Sequence, residues 1–284
     1  MARQNKKLKS LSAGRTAICK QDQSRFSARK GRTIIRSHHQ LSKALADAEK
    51  TGDDKLVTQL RKDIERNGGL ATYQQASLLG QSNDRGGDSS KVLVDWLKPR
   101  MAGRKRPLRV LEVGALSLTN ACSQWDLMAV TRIDLNSQTS GILQQDFMQR
   151  PLPKTSAEKF DVISLSLVLN FVPSKEGRGQ MLQRTSQFLE SRADQRYNDE
   201  DRRLQPCLFL VLPRPCVINS RYMTEERLGA IMSSLGYSLS AQKSSPRLVY
   251  MLWEYRAEAA ISGARFSKEE LNPGFARNNF SIVL

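Results

Sequence analysis

The sequence predicts an α/β protein: a mostly parallel, Rossmann-like sheet of seven strands covered by helices, with a helical extension in front of it. Three observations carry this expectation. Short apolar runs alternate with amphipathic stretches from residue 88 to 257, which is how parallel strands joined by crossover helices read. The run Arg109-Val-Leu-Glu-Val-Gly114 is apolar until it stops at a glycine, as a buried strand does when it turns tightly into a helix. A second run, Ala129-Val-Thr-Arg-Ile133, ends in Asp134, about twenty residues after that glycine. An acid at such a strand tip can accept both hydroxyls of a ribose.

In chain order, residues 1–36 hold eleven Lys/Arg against one acid, Asp22, a net of +10 out of +17 for all 284 residues. A segment so charged cannot bury enough apolar surface to fold alone and is expected to be a disordered basic arm. Its partner is a polyanion such as RNA, or it serves as a nuclear or nucleolar address. Residues 37–87 form a helical extension and connector. Leu41, Ala44, Leu45 and Ala48 lie on one face of a helix from Ser37 to Lys50, and Thr51-Gly52-Asp53 breaks it. Leu56, Leu60 and Ile64 line a second helix that starts with acids, closes with Arg66 and stops at Gly68-Gly69. The pair reads as an antiparallel hairpin, either packing scaffold or RNA-facing. Residues 70–87 read as an irregular connector. The main domain spans 88–257, and 258–284 is a C-terminal tail.

Within that domain Asp88 or Ser89 can cap a helix carrying Val92, Leu93, Trp96 and Leu97. Arg100 to Arg106 reads as a solvated basic loop. Strands follow at 107–113, 128–133, 142–147 and 160–167, with a short helix or turn at 119–124 after the first. A helix near 176–190 points Met181, Leu182, Thr185, Phe188 and Leu189 inward. Residues 191–204 are a charged insertion. A fifth strand at 207–212, a helix at 223–235 and an antiparallel pair, 237–241 with 248–255, close the sheet. Ligands of such sheets bind beyond the carboxyl ends of the strands.

The totals exclude other classes. Hydrophobic content is 39%, and no run approaches the roughly 18 apolar residues of a membrane span. The basic N-terminus has no apolar segment behind it, so no secretory signal is expected. Cys19, Cys122, Cys207 and Cys216 form no C-x-x-C pair, so neither a metal site nor a disulfide framework is expected. His38 and His39 read as surface residues.

The turn Gly114-Ala-Leu-Ser-Leu-Thr-Asn120 has a single glycine. A dinucleotide site needs several, because its backbone must approach a pyrophosphate. There is also no P-loop. S-adenosylmethionine carries a ribose and an adenine but no phosphate. It asks for one close turn, a ribose acid, and a polar-plus-apolar pair for the adenine, and Gly114, Asp134 and Asp146-Phe147 come in that order. The acceptor should approach beyond the fourth strand, where Ser166, Asn170 and Phe171 are the candidates. Asn170 can bond the edge of a base and Phe171 can stack on it, or they are a loop cap and a core aromatic. No cysteine sits there to serve as a nucleophile.

This order resembles the class I S-adenosylmethionine-dependent methyltransferases over 88–257. Four longer stretches resemble the fungal large-subunit (25S) ribosomal RNA adenine-N1 methyltransferases: Gly68-Gly-Leu-Ala-Thr-Tyr-Gln-Gln-Ala-Ser77, Arg85-Gly-Gly-Asp-Ser-Ser-Lys91, Phe160 to Pro173, and Asn278-Asn-Phe-Ser-Ile-Val-Leu284. Ala115-Leu116-Ser117 departs from the usual glycine-rich turn. The resemblance implies S-adenosylmethionine as methyl donor, with Gly114 at the cofactor turn, Asp134 on the ribose, Glu112 near the methionine part, and Asp146 and Phe147 at the adenine. It implies large-subunit rRNA or a pre-ribosomal particle as partner, a nuclear, nucleolar location, no metal and no membrane, and a monomer. An animal relative of this family is an S-adenosylmethionine sensor, so the competing expectation is a non-catalytic regulator acting through a protein complex.

Overall fold

The computed structural model describes residues 27–80, 87–104, 106–137, 139–190 and 204–284. The expectations for residues 1–26, most of the charged insertion and residues 81–86 of the connector lie outside the described residues.

Three helices precede the sheet. α1 runs Ala28–Thr51, with the Ser27 hydroxyl accepting from the Lys30 N–H at its start and Gly52 in the left-handed region at its end. Nine of its residues thus reach back into the stretch read as a disordered arm, and Gly31 there is buried. α2 runs Asp54–Arg66 and is capped by Asp53, as its acids and closing arginine predict. α3, Gly69–Gly80, replaces the first part of the expected irregular connector. The spacing Leu70, Tyr73, Ala76 is helical, and α1 packs against both α2 and α3.

α4, Ser90–Leu97, begins the main domain and buries Leu93, Val94 and Leu97. Its first turn is held by Asp88, whose Oδ1 accepts from the Ser90 N–H at 2.8 Å and whose Oδ2 accepts from the Ala121 N–H. Ser89 makes no cap bond. β1 (Leu108–Val113), α5 (Ala121–Gln124), β2 (Met128–Asp134), β3 (Leu143–Gln144), β4 (Val162–Ser166), α6 (Lys175–Phe188), β5 (Cys207–Pro213), α7 (Pro215–Ile218), α8 (Glu225–Ser234), β6 (Tyr237–Ser244) and β7 (Leu248–Tyr255) follow. The third strand is shorter than the run 142–147 suggests. The sheet order is β3-β2-β1-β4-β5-β7-β6. Strands β1 to β5 are parallel and β7 is antiparallel to β5 and β6. This is the seven-stranded, mostly parallel α/β fold the sequence predicts.

The continuous apolar strands have a simple cause: both faces of the sheet are covered. Along β5 the side chains alternate between two cores. Leu208, Leu210 and Leu212 join Met181, Leu182 and Phe188 of α6 and Ile231 and Met232 of α8. Cys207, Phe209 and Val211 join Leu93 and Leu97 of α4 on the other side. The C-terminal segment belongs to the first core: Phe280 and Ile282 are buried in it, and Val283 donates its N–H to the Lys175 carbonyl. A Cβ on Gly179 would overlap the Val283 carbonyl oxygen, so α6 and the chain end can meet only at a glycine.

Arg100 and Arg104 are half-buried and paired, while Arg106 of the same loop is exposed. Arg100 bonds Glu254 at 2.7 Å and Ser240 at 2.8 Å, and Arg104 pairs with Asp161 at 3.9 Å. This loop precedes β1, at the end of the sheet opposite the strand tips. No helix among the described residues is long and apolar enough to cross a membrane.

Candidate active site

The carboxyl ends of β1, β2 and β4 converge on one cavity of about 280 Å³. The register explains why: Val113 of β1 pairs with Ile133 of β2 and with Leu165 of β4, so Gly114, Asp134 and Ser166 follow side by side.

Gly114 is needed twice over. Its φ is +73°, in the left-handed region, where a Cβ strains the backbone. A Cβ there would also lie 2.7 Å from the Val168 Cγ2. Its N–H and that of Ala115 both bond the Ile133 carbonyl, at 2.8 and 3.1 Å. Asp134 follows that residue directly and ends β2. Its Oδ1 accepts from the Asn136 N–H at 2.9 Å, a local Asx-turn that aims the carboxylate at the cavity wall.

Asp146 and Phe147 border the same space. Asp146 caps the following turn through the Met148 N–H at 2.7 Å. Phe147 is only 2% exposed, and its ring packs 5.3 Å from that of Phe188, so it is at once core and wall. The Arg184 guanidinium sits over both rings and bonds the Phe147 carbonyl at 2.8 Å.

At the β4 tip Ser166 shares a 2.7 Å hydrogen bond with Ser89, tying the start of α4 to the cavity. Leu167 has φ +58°, the one positive value at a non-glycine among the described residues. Such strain persists only where surrounding contacts impose it; here the Leu167 N–H bonds Val211 at 2.9 Å and turns the chain toward Gly114. A 3₁₀ turn, Leu169–Phe171, follows. Phe171 lines the cavity, and Asn170 beside it does not. The Asn170 Oδ1 is buried without a hydrogen-bond partner.

Glu112 lies behind the wall. It is 8% exposed; its Oε1 accepts from the Asn120 amide at 2.7 Å, and its Oε2 is buried with no partner. Burial pushes its carboxyl up to about 7, against the Asn120 bond and the Arg132 charge that pull it down. The Cys122 thiol is pushed up to about 11, mainly by burial and secondarily by Glu112. Asp161 is structural: it accepts from the Arg109 N–H at 2.8 Å.

The roof of the cavity is invisible to the sequence reading. Ile35 of α1 and Leu70 and Tyr73 of α3 line it, although the extension reads as a separate hairpin and 70–87 as a connector. His38 is not a plain surface residue: it is half-buried and its ring stacks on Tyr73 at 4.5 Å. Helical spacing within Leu70, Tyr73 and Ala76 is the signal that could have revealed α3. Nothing local says where it docks.

A mostly apolar cavity with a few polar groups at one end suits a small amphipathic ligand. Two features fit S-adenosylmethionine. The space in front of Gly114 is one a Cβ would spoil, and the Glu112 Oε2 is an unpaired buried acceptor close to the turn, suited to an ammonium group. Among the described residues no group of three His, Cys, Asp or Glu converges to hold a metal ion.

The family model described as 25S rRNA (adenine(2142)-N(1))-methyltransferase, Bmt2, matches residues 58–282. A Schizosaccharomyces pombe protein named 25S rRNA adenine-N(1) methyltransferase is 36% identical over 259 residues, covering 89% of this chain and 91% of that one. A Saccharomyces cerevisiae 25S rRNA (adenine(2142)-N(1))-methyltransferase is 36% identical over 230 residues, covering 81% of this chain and 64% of its own length. Among solved structures, the chain is similar to the N-methyltransferase NodS from Bradyrhizobium japonicum WM9 in complex with S-adenosyl-L-homocysteine, with TM-score 0.40, 12% identity, and 62% and 92% of the two chains covered. It is also similar to an S-adenosylmethionine-dependent methyltransferase from Archaeoglobus fulgidus, with TM-score 0.42, 12% identity, and 62% and 98% covered.

Proposed function

The chain belongs to the 25S rRNA (adenine-N1)-methyltransferase family, and from that premise we propose that it moves a methyl group from S-adenosylmethionine to N1 of an adenine in large-subunit ribosomal RNA. The observation that carries this reading is the single cavity that brings Gly114, Asp134, Ser166 and Phe171 together.

When bound, the donor supplies an electrophilic methyl group on a sulfonium. Asp134 holds the ribose through its carboxylate, and the bare backbone of Gly114 admits the methionine part. Glu112, orphaned at Oε2 just behind that turn, would supply the negative charge that the amino group of that part answers, while Asp146 and Phe147 would border the adenine. On the acceptor side N1 already has an in-plane lone pair, so no strong base is required and no proton need leave. The protein has to unpair the base, expose its Watson–Crick edge and align N1 for in-line displacement. Phe171 offers a stacking face. Asn170, outside the cavity with its Oδ1 buried, belongs to the turn that carries Phe171, and Ser166, braced by Ser89, borders the cavity at the β4 tip. The basic residues 1–36 supply phosphate contacts, which position the substrate without specifying sequence, and they fit a nucleolar address.

Primer extension on 25S rRNA from cells carrying Asp134→Ala tests the reading. The arrest caused by an N1-methyladenine should disappear at one site. Unchanged arrest at every such site would refute the enzyme reading.

A further inference from the structure

The helical extension contributes an aromatic surface to the acceptor end of the cavity. The Tyr73 ring stands edge-to-face with Phe171, centroids 5.8 Å apart and planes at 89°. On another side Tyr73 is backed by His38, at 4.5 Å and 19°. Burial lowers the pKa of His38, which favours the neutral imidazole as the backing ring. Tyr73 and Phe171 both line the cavity that holds Gly114 and Ser166, and both are half-buried rather than sealed in a core. Two rings at right angles form a corner. A purine entering it stacks on one ring and turns its own edge to the face of the other, both favourable geometries for aromatic pairs.

We propose that Tyr73, held in place by His38, is a base-contacting residue that forms with Phe171 the corner receiving the flipped adenine. This rests on the function proposed above and extends it: the acceptor site is shared between the sheet domain and the N-terminal extension. The extension is then part of the active site rather than a separate RNA-binding arm.

The test uses the full chain, tritiated S-adenosylmethionine and a 25S rRNA fragment, with donor affinity measured separately by calorimetry. Tyr73→Ala should lower kcat/KM for RNA about 10- to 100-fold, the range set by loss of one base–aromatic stack. Its donor Kd should stay within about twofold of wild type, which also shows that the variant is folded. Tyr73→Phe keeps the ring and should restore the rate; Leu56→Ala, exposed on α2 and away from the cavity, should leave it intact. If Tyr73→Ala does not fold, His38→Ala takes its place, with a smaller loss of the same kind expected. Unchanged RNA kinetics, or a donor Kd that rises as much as the rate falls, would overturn the assignment while the enzyme reading stands. A wild-type protein that transfers no methyl to the RNA would overturn both.

Discussion

Replacing Glu112 by Gln should make the protein more stable, and only above a certain pH. The side chain is 8% exposed; one oxygen accepts from Asn120 at 2.7 Å and the other has no partner. Burial raises the carboxyl from 4.5 to about 7, so the folded state binds this proton more tightly than the unfolded state does. The resulting stability is fully present below pH 4.5, falls as the pH rises from 4.5 to about 7, and is absent above that. At about 1.36 kcal/mol per pH unit, the change across this window is about 3 kcal/mol. Gln has the same shape, keeps an acceptor for Asn120 and never ionises. The unfolding free energy of Glu112→Gln minus that of wild type should therefore rise by about 3 kcal/mol between pH 4.5 and 8. Urea titrations of both proteins across that range measure it, and groups common to the two cancel in the difference. A difference that stays flat with pH would refute the claim that Glu112 is buried without a charge sufficient to compensate it. In the proposed function the donor's ammonium supplies that charge, so saturating S-adenosylmethionine should shrink the pH-dependent gap.

Two further substitutions test the close approaches that position the cavity. Gly114→Ala forces a side chain into the left-handed region, costing about 1–2 kcal/mol, and drives its Cβ into Val168. Calorimetry should show donor binding weakened more than about tenfold, the factor that 1.4 kcal/mol represents; unchanged binding would remove Gly114 from the cofactor site. Gly179→Ala in an ordinary helix would stabilise by about 1 kcal/mol. Here the added Cβ meets the Val283 carbonyl and unseats Phe280 and Ile282, so a destabilisation of about 2–3 kcal/mol is expected by urea unfolding; the sign alone decides.

Much of this protein was legible in its sequence because the signals are local. Runs such as Cys207–Leu212 can satisfy a strand only if both faces are covered, and a glycine after Val113 marks a turn no other residue makes easily. Asp134 at the next strand tip, with Asp146-Phe147 beyond it, fixes the side of the sheet on which a nucleoside binds, and the structure puts all four beside one cavity. The four longer stretches then narrowed the class to a family that the family model supports.

Tertiary structure alone decided the rest, since those contacts join residues far apart in sequence. Nothing near Tyr73 announces that its ring will meet Phe171, nor does the basic run before Ser37 show that Ile35 will roof a cavity on the sheet. Arg100 and Arg104 look like free surface charge until Glu254 arrives on β7 and Asp161 just ahead of β4. Asn170 reads as a site residue and stands just behind the wall, while Glu112 takes its raised pKa from burial among neighbours that folding brings together. Periodicity and turn chemistry act over a few residues and can be read along the chain, whereas burial, orphaned acceptors and ring corners exist only once distant elements have docked.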